Sequence, residues 1–192
     1  MLEEVGLEYK VTKINLFKNE QFRPKFRKIS PFSKIPVIID HDNKKEAIFE
    51  SGAILIYLAE KTNKFYNKNE RLKINQWLMI QMSIVGPFIG QHHQFHYYNR
   101  GKSKFGEERY FKIAKKIYAD LDERLKKSEF LAGKNYSIAD IATWPWIARF
   151  QIHKINIKNY SNVMNWYNKI AKRPAVIKGY NIGKENNEIP IP

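Results

Sequence analysis

The residues of this chain best suited to chemistry lie in short stretches. Glu50-Ser51-Gly52 stands at a strand-to-helix junction. There the first-turn amides and the helix dipole favour an anion, Ser51 reads as the N-cap, and Glu50 beside it can hold an ammonium. An α-amino acid headgroup carries both charges at that separation, although a plain helix cap explains the same residues more simply. Ile35-Pro36-Val37 sets a proline at the head of a buried strand, where its missing N–H would open neighbouring backbone groups to a ligand. Taken alone, that dipeptide also reads as a proline tolerated at a strand start. His92 and His96, four residues apart, share a helix face as paired metal ligands do, but the sequence places no third ligand and no metal is expected.

These groups need a scaffold. Leu2 to Val5 predicts a short helix ended by Gly6, and Leu7 to Asn15 alternates apolar and polar residues as a strand does. Pro24 opens a short basic helix that stops at Ser30-Pro31. Val37 to Asp40 and Glu46 to Phe49 predict a hairpin across His41-Asp42-Asn43, followed by a helix over Ser51 to Lys61 and a polar linker over Thr62 to Asn69. Beyond Glu70 the strand signals vanish. Arg71 to His96 predicts a helix bent at Gly86-Pro87, Tyr98 to Gly106 a loop, and Glu107 to Lys127 a second helix. Ser137-Ile-Ala-Asp140 has capping-box spacing, with Tyr136 set to staple onto Ile141, which makes Asp140 a buried cap rather than an acid catalyst. Its helix is expected to bend at Pro145; a last one runs from Val163 to Lys172, and Asn181 to Pro192 reads as an exposed tail. The expected fold class is α+β, with an α/β unit over 1–62 and an all-helical unit over 70–192.

Composition narrows the function. The chain has 192 residues, 43% hydrophobic and 14% aromatic, enough to bury a substantial core. It contains no cysteine, which excludes a disulfide framework, a thiolate zinc site and a cysteine nucleophile within these residues. The apolar run Ala53 to Ala59 falls far short of a membrane span, and Met1-Leu2-Glu3-Glu4 has no signal-peptide character, so a soluble, cytoplasmic protein is expected. Net charge is +15, from 34 Lys and Arg against 19 Asp and Glu, with the lysines scattered along the chain. Nucleic acid and membrane are therefore not the expected partners.

Together the short stretches form one pattern. Gln21-Phe22-Arg23-Pro24, Ser30-Pro31, Lys34-Ile35-Pro36, Phe49-Glu50-Ser51-Gly52-Ala53-Ile54, Tyr57-Leu58-Ala59-Glu60-Lys61 and Gly133 with Tyr136-Ser137-Ile138-Ala139-Asp140 resemble the glutathione S-transferase family. Gly90-Gln91 with Phe95, Glu108-Arg109-Tyr110 and Trp144-Pro145-Trp146 resemble its Nu class of glutathione-dependent disulfide-bond oxidoreductases. The resemblance implies a thioredoxin-like domain followed by a helical bundle, glutathione as co-substrate, a small disulfide or electrophile as second substrate, and a homodimer. It also implies site roles. Glu50 and Ser51 would bind the γ-glutamyl amino and carboxylate groups, and Ile35, before a cis Pro36, would clamp the cysteinyl moiety through its backbone. Lys34 and Gln21 would lie near the glycyl carboxylate, with Arg109 in the cleft. The aromatics Phe88, Phe95, Tyr97 and Tyr98 either line that cleft for an apolar co-substrate or pack in a core or dimer interface, and the four tryptophans read as core.

The same resemblance implies a leading strand and loop upstream of Leu2, about 15–20 residues, carrying the group that hydrogen-bonds the glutathione sulfur. Met1 is thus expected to be an internal methionine of a longer reading frame, and no residue here is assigned to the sulfur. A chain truly lacking that strand is expected to fold poorly and to show no turnover. The rival expectation is a non-catalytic binding module built on the same fold.

Overall fold

The computed structural model describes residues 1–183 and 188–192. Helix α1, Leu2–Val5, ends at Gly6, whose φ of 75° turns its amide back onto the Leu2 and Glu3 carbonyls. The strand expected over Leu7 to Asn15 is not formed. That segment has no regular secondary structure and is mostly exposed, because a strand needs a neighbour for its amides and the two described strands pair with each other. Asn15 instead caps a 3-10 turn over Leu16–Lys18, accepting the Lys18 N–H at 3.1 Å. Helix α2, Pro24–Arg27, starts on its proline as expected.

Strands β1, Val37–Asp40, and β2, Glu46–Phe49, form the antiparallel hairpin read from the sequence, with Val37 opposite Phe49 and Asp40 opposite Glu46, but β1 is not the buried strand expected: none of its residues is fully buried and Ile39 is exposed. Helix α3, Ser51–Thr62, follows directly and ends at Asn63 in the left-handed conformation. Asp40 ties hairpin to helix by accepting from the Tyr57 hydroxyl at 2.6 Å and from the Lys61 ammonium. Those two donors hold its carboxyl well below the usual carboxylate range. The expected polar linker is docked rather than free. The Phe65 carbonyl accepts the Ile138 N–H at 3.0 Å, and the Phe65 ring meets Tyr136 edge-on at 5.5 Å.

The helical part opens with α4, Arg71–Ile80, and α5, Gly86–His93, which continue one another through a π turn over Gln81–Val85. The bend expected at Gly86-Pro87 takes this form because Pro87 has no N–H to give one turn back, so the Gly86 N–H reaches the Gln81 carbonyl. A second π turn, Gln94–Tyr98, closes the segment. Helix α6, Lys104–Leu125, begins three residues before the expected Glu107, because Ser103 Oγ accepts the Gly106 N–H at 3.1 Å.

Helix α7, Ile138–Ile147, keeps Pro145 inside it, and the short α8, Phe150–His153, follows. Helix α9 is Ser161–Ala171, and Pro174 starts α10, Pro174–Tyr180, where the sequence suggested an end. Part of the expected exposed tail, 184–187, lies outside the described residues. Its far end is docked: Ile189 packs on the core, and the Pro190 carbonyl accepts the Tyr167 hydroxyl at 2.6 Å.

Two apolar clusters hold the molecule together. One joins Leu55 and Ala59 of α3 to Ile74 and Leu78 of α4 and to Ile138, and so fixes the N-terminal part on the bundle. The other, inside the bundle, buries Ile89, Tyr118, Leu121, Trp144, Trp166 and Ile170. Trp77 and Trp146 pack against this core as partly buried side chains.

Candidate functional site at the start of helix α3

The hairpin delivers the candidate residues to one place. Val37 pairs with Phe49, so the residues just outside the ladder, Pro36 and Glu50, leave the sheet at the same end. The Ile35-Pro36 peptide bond is cis, as the resemblance implies, and Ile35 is exposed. Glu50 has φ 68° and ψ 116°, an unusual backbone state for a residue with a side chain, and it turns the chain sharply into α3. Glu50, not Ser51, occupies the N-cap position, so the expected serine cap is displaced by one residue. No side chain caps this first turn, which leaves its amides open to an anion.

The Ser51 hydroxyl is turned elsewhere. It donates to Met82 Sδ in the first π turn at 3.7 Å. Gly52 permits this approach, since a Cβ there would lie 3.3 Å from Met82 Sδ and Cε. Neither contact is legible in the sequence, because α3 and the π turn meet only in the folded chain.

Lys34 is held at the backbone. Ser30, 2% exposed, donates its hydroxyl to the Lys34 carbonyl at 2.7 Å and accepts the Lys34 N–H at 3.0 Å. That clasp shapes the turn into Ile35 and leaves the lysine side chain exposed. Ser30 belonged to the recognised pattern, but its positioning role needed the turn geometry. Gln21 lies in the 3-10 turn Glu20–Phe22 with its Oε1 buried and without a hydrogen-bond partner. Arg109 is exposed on α6. Among the described residues, no hydrogen bond or ion pair joins Gln21, Lys34 or Arg109 to Glu50 or Ser51. The hairpin thus brings Ile35, Pro36, Glu50 and Ser51 to one end of the sheet.

Beside Arg109, Tyr110 stacks on Phe95 at 5.2 Å and meets Phe88 at 6.5 Å. Gly106 makes room for this wall, since a Cβ there would overlap the Phe95 ring. Tyr97 and Tyr98 are 57% and 59% exposed and pack edge-on against each other, outside the core.

The histidines have a different character. His92 and His96 do share a face, but their rings stack at 4.9 Å. His92 Nε2 bonds the His153 carbonyl at 3.0 Å, and His153 Nδ1 bonds the Tyr118 hydroxyl at 2.7 Å. Burial pushes His93 down to about 4 and His153 down to about 2, so both rings are neutral packing groups near pH 7. Among the described residues, no group of three or more His, Asp or Glu is arranged to hold a metal ion. Asp140 is fully occupied as a cap. Its Oδ1 accepts from the Leu131 N–H and Trp166 Nε1, each at 2.9 Å, and its Oδ2 accepts from the Ser137 N–H and hydroxyl, each at 3.0 Å.

Known proteins resemble this chain in sequence and in fold. Residues 1–60 match the family model for the glutathione S-transferase N-terminal domain, and residues 80–174 match that for the C-terminal domain. Over 180 residues the chain is 43% identical to the disulfide-bond oxidoreductase YfcG of Escherichia coli, covering 91% of this chain and 84% of that protein. The chain belongs to the glutathione S-transferase family. A glutathione transferase from Burkholderia graminis, crystallised with two glutathione molecules per subunit, matches this family member with a TM-score of 0.88 and 35% identity, over 96% of this chain and 82% of that one. The glutathione transferase URE2P6 of Phanerochaete chrysosporium, solved with oxidised glutathione, gives a TM-score of 0.87 and 32% identity over 92% of this chain and 85% of its own. In this family member the α3 start, cis Pro36 and hairpin all fall within residues 1–60, the span matched by the N-terminal domain model. No described helix is long and apolar enough to cross a membrane.

Proposed function

We propose that this chain is a glutathione-dependent disulfide-bond oxidoreductase of the glutathione S-transferase family, acting in the cytoplasm as a homodimer. The observation that carries the reading is the uncapped first turn of α3 beside the cis Ile35-Pro36 bond, with Glu50 and Ser51 at the same end of the hairpin. The names of its relatives, an oxidoreductase and glutathione-bound transferases, point the same way.

In this reading residues 1–62 form the glutathione-binding unit and 70–192 the helical unit. The open amides of α3 and the Ser51 hydroxyl take the γ-glutamyl carboxylate, and the Glu50 carboxylate faces its ammonium. The exposed Ile35 backbone pairs with the cysteinyl residue, while Lys34 and Gln21 serve the glycyl carboxylate and Arg109 the cleft. Binding of this kind fixes the glutathione backbone and so presents its sulfur for exchange, with no residue among these 192 assigned to the sulfur itself. Its thiolate attacks one sulfur of a substrate disulfide, forming a mixed disulfide and expelling the other sulfur as thiolate. A second glutathione thiolate then attacks the glutathionyl sulfur, giving oxidised glutathione and the second reduced thiol. The chain's lack of cysteine fits a reaction whose thiols all belong to glutathione and substrate.

The deciding experiment assays glutathione turnover with a model disulfide and with a halo-aromatic acceptor side by side. Reduction of the disulfide in excess over conjugation is the expected result. Conjugation alone would make the protein a thiol transferase, and glutathione binding with neither reaction would make it a binding module.

A further inference from the structure

Met82 brings the helical part of the molecule onto the start of α3. Its Sδ accepts the Ser51 hydroxyl at 3.7 Å, and its Sδ, Cε and Cγ lie 3.3, 3.3 and 3.4 Å from the place a Cβ on Gly52 would take. The neighbouring Leu78 and Val85 are 0% and 2% exposed, whereas Met82 is partly open to solvent. A thioether sulfur is a weak acceptor. The Ser51 hydroxyl therefore rests on a partner it can leave at small cost when a carboxylate arrives at the helix end.

We propose that Met82 is an oxidation-sensitive positioning residue for the glutathione carboxylate, acting through Ser51, and that its conversion to the sulfoxide weakens glutathione binding. This rests on the reading that the start of α3 holds glutathione. Hydrogen peroxide is the oxidant. A sulfur lone pair attacks one peroxide oxygen, the S–O bond forms as the O–O bond breaks, and the departing hydroxide takes up the remaining proton as water. Sulfur loses two electrons and peroxide gains them. The sulfoxide oxygen is a strong acceptor in place of a weak one, so it retains the Ser51 hydroxyl against the incoming carboxylate. It also adds an atom where the fit against Gly52 is already close. Both effects withdraw the helix end from the ligand.

The test uses the protein with S-methylglutathione, whose sulfur is blocked, so that binding is read without turnover. Protein is treated with hydrogen peroxide, cleared of it with catalase and desalting, mapped by peptide mass, and titrated calorimetrically. Oxidation of Met82 is expected to raise the Kd about tenfold, the loss of one charge-assisted hydrogen bond. Met82→Gln, a permanent stronger acceptor, reproduces the loss without peroxide, with its fold checked by circular dichroism. Met82→Leu has the same affinity before and after peroxide, although Met79, 49% exposed, is still oxidised in it. Equal binding by oxidised and untreated wild type overturns the proposal, as does an equal loss in oxidised Met82→Leu. Resistance of Met82 to peroxide that converts Met79 also overturns it. Failure of untreated wild type to bind S-methylglutathione is a different result and removes the proposed function itself.

Discussion

Ser51 and Asp140 both stand at the start of a helix, and their side chains have opposite employment. Asp140 is saturated by the donors of Leu131, Ser137 and Trp166, and burial alone drives its carboxyl upward against them. Asp140→Ala leaves those donors buried and unpaired, and is expected to cost about 2–4 kcal/mol in urea unfolding, with no specific effect on ligand contacts. Ser51 leaves its own first turn open and donates to a sulfur instead. Ser51→Ala is expected to lower glutathione affinity by about tenfold in calorimetric titration while shifting stability by less than about 1 kcal/mol. A large loss of stability with unchanged affinity would make Ser51 a folding residue only.

Elements whose signals are local were legible in the sequence. Pro24 opens α2, Gly6 closes α1, the short runs Val37–Asp40 and Glu46–Phe49 across the His41-Asp42-Asn43 turn signal make the hairpin, and Ser137 with Asp140 starts α7. Elements settled by distant groups were not. Leu7 to Asn15 has the alternation of a strand, but alternation supplies no pairing partner, and none is present among the described residues. Pro87 announced a bend, yet its conversion into a π turn depends on which carbonyl recovers the missing donor. The site divides the same way. Glu50, Ser51, Ile35 and Pro36 stood out by residue type, with a plain cap and a strand-start proline as the simpler readings and a binding role implied only by the family resemblance, whereas the contacts of Met82 and Ser30 became visible only in the folded chain. The early start of α6 supplies a check at this scale. Ser103→Ala removes the side-chain acceptor for the Gly106 N–H and is expected to cost about 1 kcal/mol, read as a lower urea midpoint at unchanged m-value.

At the scale of the molecule, the bundle carries a built-in response to acid. His93 stacks on His153 at 4.8 Å and on Trp146 at 6.1 Å, with Arg149 adding positive charge to the surroundings. Burial holds His93 at about 4 and His153 at about 2 in the folded chain. An unfolded histidine titrates near about 6.5, so below that pH the unfolded chain binds protons that the folded chain refuses. Stability is therefore full above that value and falls as pH drops from 7 toward 5, at up to about 1.4 kcal/mol per pH unit for each such ring. Thermal melts across that range are expected to show the decline, and His93→Gln to flatten it. Parallel slopes for the two proteins would assign the acid response elsewhere.

The pairing of Glu4 with Arg173 has a temporal consequence. Both guanidinium contacts measure 2.7 Å, the Arg173 cation lies 4.0 Å from the centre of the Tyr136 ring, and the partners stand 169 positions apart. Closing so long a loop is entropically unfavourable until the intervening chain has condensed, so this clasp belongs to the last stage of folding and the first of unfolding. Glu4→Gln is accordingly expected to accelerate unfolding in stopped-flow denaturant jumps and to leave the refolding rate nearly unchanged. This long-range clasp would then govern how long the native state lasts, and the contacts between neighbouring elements how fast it is reached.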